Sequence, residues 1–461
     1  MVWWAGPSAP WKSTTRKDTL QAHGTAVKAA IITLVFAASC LGQFEGGGGP
    51  SILSRGGARP GQAGGKPINF NFYAGLNASY NNGSIPIDTG SSSSDKQVLY
   101  GGSLNGGLTG SHAWKSSSIG VDYRGNYRLY SGHSYADGTE QAIDMQYTVQ
   151  ASRRISFNIS AVGGTSTNAN GGFVAPTAIL DPNLIGVPTS NIFDNRMYYG
   201  QGTVGMTYRL TSRLRFMFSG DGFTMQYKSN SLIGMNGYRA SAQVTYQFSR
   251  RDQIGIGYNF THFAYPRAFG ASDLHGISGN YGRKLAPGLD FTLSGGIYRI
   301  ETLGSAQVTL SPEVAEILGQ TTGYQALYRV NYSPQYSGTL TYARRRSTFT
   351  GSLGAGVTPG NGVYLTSRSL NVGAGYSYSG IRKVTLSLTA GASQFSSVFQ
   401  TIEQYRNYYG GASGAYSITR HLSASLQTDV RTFNINGKNR PGYSVTLGIY
   451  WSPTEIPIPS W

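Results

Sequence analysis

The chain has 461 residues, 12% of them charged and 12% aromatic, with 64 Gly, 32 Tyr and a formal net charge of +17. A soluble globular chain averages about 25% charged residues, so this composition argues against an ordinary soluble domain and suits long strands wetted on one face only. The positive balance does not read as nucleic-acid binding, because there is no basic helix or basic run with interleaved aromatics; the charges scatter over turns and strands.

Residues 1–42 read as an export segment. Lys28 precedes an apolar run from Ala29 to Ala38 that is too short to cross a bilayer as a helix but suits a signal peptide. Cleavage is expected after Ser39 or Gly42, and the alternative is lipid attachment at Cys40, the single cysteine. Residues 43–68 are rich in Gly and Pro and read as a flexible periplasmic tail, too short for a plug domain.

From Asn69 the chain is a series of hairpins, and 69–452 is read as one membrane β-barrel, with 453–461 as a Pro-rich tail. The hairpin from Gly237 to Tyr265 shows the unit. Tyr238, Ala240, Ala242, Val244, Tyr246 and Phe248 alternate with polar residues; after the turn Arg250-Arg251-Asp252, Ile254, Ile256, Tyr258 and Phe260 do the same. Period two means an extended strand with one apolar and one polar face. Tyrosines at both ends of the apolar row match the aromatic girdles of a transmembrane barrel.

Strands are predicted at 69–80, 97–112, 117–130, 140–152, 154–165, 196–210, 213–227, 237–249, 252–264, 273–285, 288–301, 322–333, 335–348, 364–379, 382–396, 405–418, 421–433 and 442–452. That is an all-β, antiparallel up-and-down barrel of about 18 strands with short turns on one side and long loops on the other. An even strand number places both termini in the periplasm. Ser333-Pro334 is read as one of the short turns, and Ser311 to Gly319, with Pro312 and Glu313 after the serine, as a short loop helix. A propeller or β-helix would show shorter strands or a coil-length repeat, and neither is present.

At this point the chain resembles the bacterial outer-membrane β-barrels of the porin type. The carriers are the aromatic-ended alternating strands and the turn phrases Ser152-Arg153, Thr211-Ser212-Arg213 and Ser249-Arg250-Arg251, which are similar to those of porin-like barrels encoded at exopolysaccharide export loci. The chain departs from the common pattern in continuing from Pro453 to Trp461 past its last strand. The resemblance implies insertion by the outer-membrane barrel-assembly machinery, contact with outer-membrane lipid, and passage of small hydrophilic solutes. An accessory or surface-binding barrel handling an exported glycan is the alternative. The number of subunits stays open between a monomer and a homo-oligomer.

If the Tyr-rich face meets lipid, the other face lines the interior, since a mid-strand charge in lipid is costly. That parity carries Asp122, Arg124, Arg128, Asp144, Arg209, Arg215, Asp221, Arg239, Asp290, Arg329, Asp429 and Arg431. Fixed arginines would favour anions; alternatively Arg and Asp pair across strands and stiffen the wall. The longest loop, 166–195, is unusually apolar; with Asp181, Asp194 and the adjoining Arg196 the resemblance implies a constriction, because the loop at this ordinal position folds inward in many trimeric porins, and an outside lid or a subunit contact is the alternative. Basic residues crowd the short turns: Lys115, Arg153, Arg154, Arg213, Arg250, Arg251, Arg283, Lys284, Arg382, Lys383 and Arg420. The histidines offer only His262 and His275 near Asp273 as a pair, read as interfacial residues. No catalytic residue, metal ligand set or cofactor motif is called for.

Overall fold

The structure, a computed structural model, describes residues 68–82, 98–131, 137–167, 196–228, 233–267, 270–309, 319–359, 366–397, 405–435, 438–453 and 456–458, with single positions between 311 and 317. The export segment 1–42, the tail 43–67, and Asp181 and Asp194 of the longest loop lie outside the described residues.

The strands are β1 (Ile68–Asn82), β2 (Val98–Ala113), β3 (Ser117–Tyr130), β4 (Gly138–Gln150), β5 (Ile155–Thr167), β6 (Arg196–Arg209), β7 (Leu214–Tyr227), β8 (Met235–Gln247), β9 (Asp252–Ala264), β10 (Gly270–Ala286), β11 (Leu289–Thr309), β12 (Thr322–Ala343), β13 (Ser347–Pro359), β14 (Thr366–Tyr378), β15 (Val384–Ser397), β16 (Tyr405–Ser417), β17 (Leu422–Ile435), β18 (Lys438–Trp451) and the short β19 (Ile456–Ile458). From β1 to β18 each strand pairs antiparallel with its sequence neighbour, and β18 returns to β1 from Ala74↔Trp451 to Asn82↔Tyr443, closing an 18-strand barrel. β19 continues that ladder along Ile68–Phe70, so part of the expected C-terminal tail joins the wall. Closure pairs every strand on both sides through the spanning region, as a membrane sheet requires, except along the loop-side part of β12 described below.

Alternation decides the two faces. The outward rows expose large apolar side chains, among them Leu76 at 66%, Ile256 at 61% and Leu447 at 58%. A continuous apolar surface of this kind is a surface for lipid. On β8 the rings of Tyr238 and Tyr246 bound the row, as Phe72 and Tyr80 do on β1. Eight residues span about 26 Å along a strand, close to the ~25 Å apolar band of such barrels before tilt.

The inward rows hold tyrosines as well. Tyr73, Tyr130, Tyr199, Tyr298, Tyr409 and Tyr450 each face a glycine that is the direct partner on the next strand: Gly107, Gly101, Gly164, Gly276, Gly391 and Gly75 respectively. A Cβ on any of these glycines would fall well inside van der Waals contact of the ring or its hydroxyl. The ring therefore lies over the neighbouring backbone, which ties part of the Gly content to the Tyr content and places a second set of tyrosines on the inner face.

One turn differs from expectation. Ser333-Pro334 is not a turn; β12 runs through it, and the turn lies at Arg344-Arg345-Arg346, where Arg344 N–H donates to the Ser347 carbonyl. Much of the expected loop 349–363 is strand β13. Pro334 is tolerated because β12 meets β13 only from Tyr336 onward, so at Pro334 the strand has β11 alone as neighbour. At the tip of the β11–β12 hairpin Glu313, Glu316 and Ile317 are helical, and Gly319 follows at φ 65°, a left-handed stop that glycine adopts without strain.

Candidate functional site

The interior wall is the site, and its parity follows from the outward apolar rows. Asp122, Arg124, Arg128, Asp144, Asp221, Arg239, Asp429 and Arg431 all fall on the inward rows of β3, β4, β7, β8 and β17. Most of them are held in pairs. Arg124 donates to Asp122 on its own strand. Arg239 reaches Asp221 at 2.8 Å across β7–β8. Gln427 donates to Asp429 at 2.9 Å. Asp144 stands directly opposite Asp122.

The deepest pair joins Arg128 to Glu140, 2.8 Å apart, with side-chain exposures of 6% and 2%. Asn126 also donates to Glu140 at 3.3 Å. Sequence reasoning missed Glu140, although it shares Asp144's parity on β4 and that signal was sufficient to find it.

Arg209 and Arg215 are direct partners at the short-turn end of β6 and β7, on the inward row and exposed. Arg215 lines a recess of about 310 Å³ with Gln243, Thr245, Gln253, Asn280 and Thr292. Asp290 is also inward at that end, opposite Thr341. Arg329 shares the row of Thr302 but stands exposed on the part of β12 that has left β13. Arg196 opens β6 on the outward row with Tyr198, so its parity takes it away from the interior rather than into a constriction.

Toward the long-loop end the inward rows turn apolar. Val162, Met197, Tyr199, Phe223, Met225, Tyr227, Met235, Phe263, Leu274 and Ile300 form one buried cluster, with Phe223 and Phe263 edge to face at 5.9 Å. Val357 of β13 belongs to this cluster, yet it sits on the outward row of its strand, opposite Arg368. Thr366, also outward on β14, is fully buried, 2.8 Å from Ser272 Oγ and 3.0 Å from Tyr265 Oη. Ser272 faces inward on β10 beside Thr302, at 3.2 Å.

An outward row can touch the inward row of a strand four places away only if one layer lies inside the other. The loop-side ends of β13 and β14 have therefore turned into the barrel, beneath the inner face of β9–β11. The β12–β13 ladder stops at Tyr336↔Ala355 accordingly, although both strands continue beyond it. This inturned end places a second layer against the inner face of the wall on the loop side. The expected constriction at 166–195 falls almost wholly outside the described residues.

No family model and no curated protein matches the chain. Among solved structures it is similar to Pseudomonas aeruginosa OccK2 (OpdF), with 11% identity, 86% of this chain and 100% of that one covered, and a TM-score of 0.43. It is similar to a BenF-like porin from Pseudomonas fluorescens Pf-5, with 10% identity, coverages of 84% and 99%, and a TM-score of 0.41. It is also similar to the ferric-catecholate import receptor Fiu from E. coli K12, with 8% identity, coverages of 82% and 81%, and a TM-score of 0.41. The likeness is one of barrel architecture.

The histidine pair lies on the outside. His262 and Asp273 are cross-strand partners on the outward rows of β9 and β10, 2.6 Å apart, with His262 stacked on Tyr238. His275 contacts Tyr258 Oη at 2.8 Å. Both histidines rest on rings of the loop-side girdle, which is where interfacial aromatics and histidines belong.

Proposed function

We propose that the chain is an outer-membrane channel that passes small hydrophilic solutes, with a preference for anions. The observation that carries this reading is the inverted amphipathicity of a closed barrel: apolar rows face out, while Asn, Ser, Thr, Gln and charges of both signs face in. An 18-strand barrel is wide enough for an aqueous interior. Arg209 and Arg215, exposed at the short-turn mouth, support the anion preference, since fixed cations in a low-dielectric wall concentrate anions. The inturned end of β13–β14 lies at the opposite mouth.

The test is single-channel conductance of the refolded chain in a planar bilayer under a salt gradient. Discrete steps with an anion-selective reversal potential are expected, and Arg215→Glu should move that potential toward cations. A folded barrel without conductance sinks the open-channel reading. It would favour the second one, an accessory barrel of glycan export, for which the inturned end of β13–β14 is the supporting observation.

A further inference from the structure

The short turns carry a charge pattern that the conduit does not explain. All eight hold an exposed Lys or Arg in the turn or within a few residues of it, from Lys115 between β2 and β3 to Arg420 between β16 and β17, with Arg344-Arg345-Arg346 between β12 and β13. Among the described residues the acidic ones at this end are Asp252 and Asp290. Among the described residues the ion pair of this region joins Arg283 to Asp252, at 3.5 Å with Arg283 half exposed. The charge therefore forms a hoop around the whole circumference rather than a patch on one side.

Two members show its level in the membrane. Arg283 follows Tyr281 by two residues on the outward row of β10. The guanidinium of Arg344 lies 5.4 Å from the ring centroid of Tyr342, which is outward on β12. Both cations thus extend the turn-side aromatic girdle, at the depth where lipid headgroups begin. A protein or polymer docking from below would meet one arc of the hoop. A lipid leaflet meets all eight turns at once, at the headgroup plane, where basic side chains are attracted to anionic lipid.

We propose that this hoop binds the phosphates of anionic phospholipids in the leaflet that surrounds the short turns, and so fixes the depth and direction of the barrel. The inference rests on the barrel fold and not on the channel reading. The test uses the full chain refolded in phosphatidylcholine bilayers with a trace of spin-labelled lipid. The motionally restricted fraction of labelled phosphatidylglycerol is compared with that of labelled phosphatidylcholine. The expected result is about threefold preference for phosphatidylglycerol at low ionic strength, lost near ~1 M salt. Replacing Arg344, Arg345 and Arg346 by Gln should lower it. Replacing Arg196 and Lys228 by Gln, at the opposite end, should leave it unchanged. Heat-modifiable mobility confirms that each variant is folded. Equal restricted fractions for the two lipids, or a preference that follows Arg196 and Lys228 instead, overturns the proposal. Retention on polygalacturonate without lipid preference would overturn it too and assign the hoop to an acidic polymer.

Discussion

Thr366 Oγ1 lies 2.8 Å from Ser272 Oγ, although β11, β12 and β13 separate their strands in the sheet. A single-layered wall could not bring these two hydroxyls together. Their contact is the most direct record of the inturned β13–β14 end.

The same distance makes the contact testable by crosslinking. Two Oγ atoms at 2.8 Å put their Cβ atoms near the ~3.5–4.5 Å that a disulfide needs. In a Ser272→Cys, Thr366→Cys variant with Cys40 changed to Ser, oxidation should give a crosslinked band on a denaturing gel. Conductance should rise when the bond is reduced and the end is free to move. Absence of crosslinking would mean that β13 stays beside β12 along its full length.

The Arg128–Glu140 pair should be the least tolerant charge pair of the wall. Removing one partner of a buried ion pair costs about 3–5 kcal/mol, whereas replacing both by apolar groups of similar volume costs far less. Glu140→Ala should therefore lower the urea midpoint strongly, and a combined Arg128→Met, Glu140→Leu variant should recover most of the loss.

Gly391 lies under the Tyr409 ring and Gly295 faces open space on the outward side. Overpacking costs about 1–3 kcal/mol, so Gly391→Val should lower the temperature at which the barrel's gel mobility shifts. Gly295→Val should not. Adding Tyr409→Ala to Gly391→Val should return only part of the loss, because the ring is one of two close neighbours and the Val372 carbonyl oxygen, 2.7 Å from the added Cβ, remains.

Asp252 opens β9 at the turn end, two residues before the apolar row begins at Ile254 and so outside the apolar span. Its carboxylate accepts hydrogen bonds from Ser249 at 2.6 Å and Tyr281 at 2.9 Å, and these, with Arg283 nearby, lower its pKa. A lowered folded-state pKa contributes stability above the unfolded value near ~3.9, lost as the pH falls through the folded value. Urea midpoints taken from about pH 5 downward should fall less steeply for Asp252→Asn than for the parent chain.

Much of this barrel is written in local alternation. The rows Tyr238–Tyr246 and Ile254–Phe260, the strand number and the inward parity of Arg239 follow from period two alone, because a one-residue slip would turn every side chain to the wrong face. Pro334 misled because proline usually ends a strand, and its tolerance depends on β13 having departed, a fact of tertiary structure. The seating of Tyr73 and Tyr409 over Gly107 and Gly391 is not legible locally, because it depends on register between strands. The inward turn of β13–β14 has no local signal at all: Val357 and Thr366 obey the same alternation as any outward residue, and only their burial against Leu274 and Ser272 reveals the overlap.

The ladder that stops at Tyr336↔Ala355 divides the perimeter mechanically. Below it, every strand is bonded on both sides, and such a girth is fixed by its hydrogen bonds. Above it, Thr322 to Gln335 is bonded on one side only. That upper circumference can lengthen or shorten by sliding one layer over another, with no backbone bond of the lower ring broken. Any change in the aperture is thereby confined to one half of the molecule, and the other half serves as its frame.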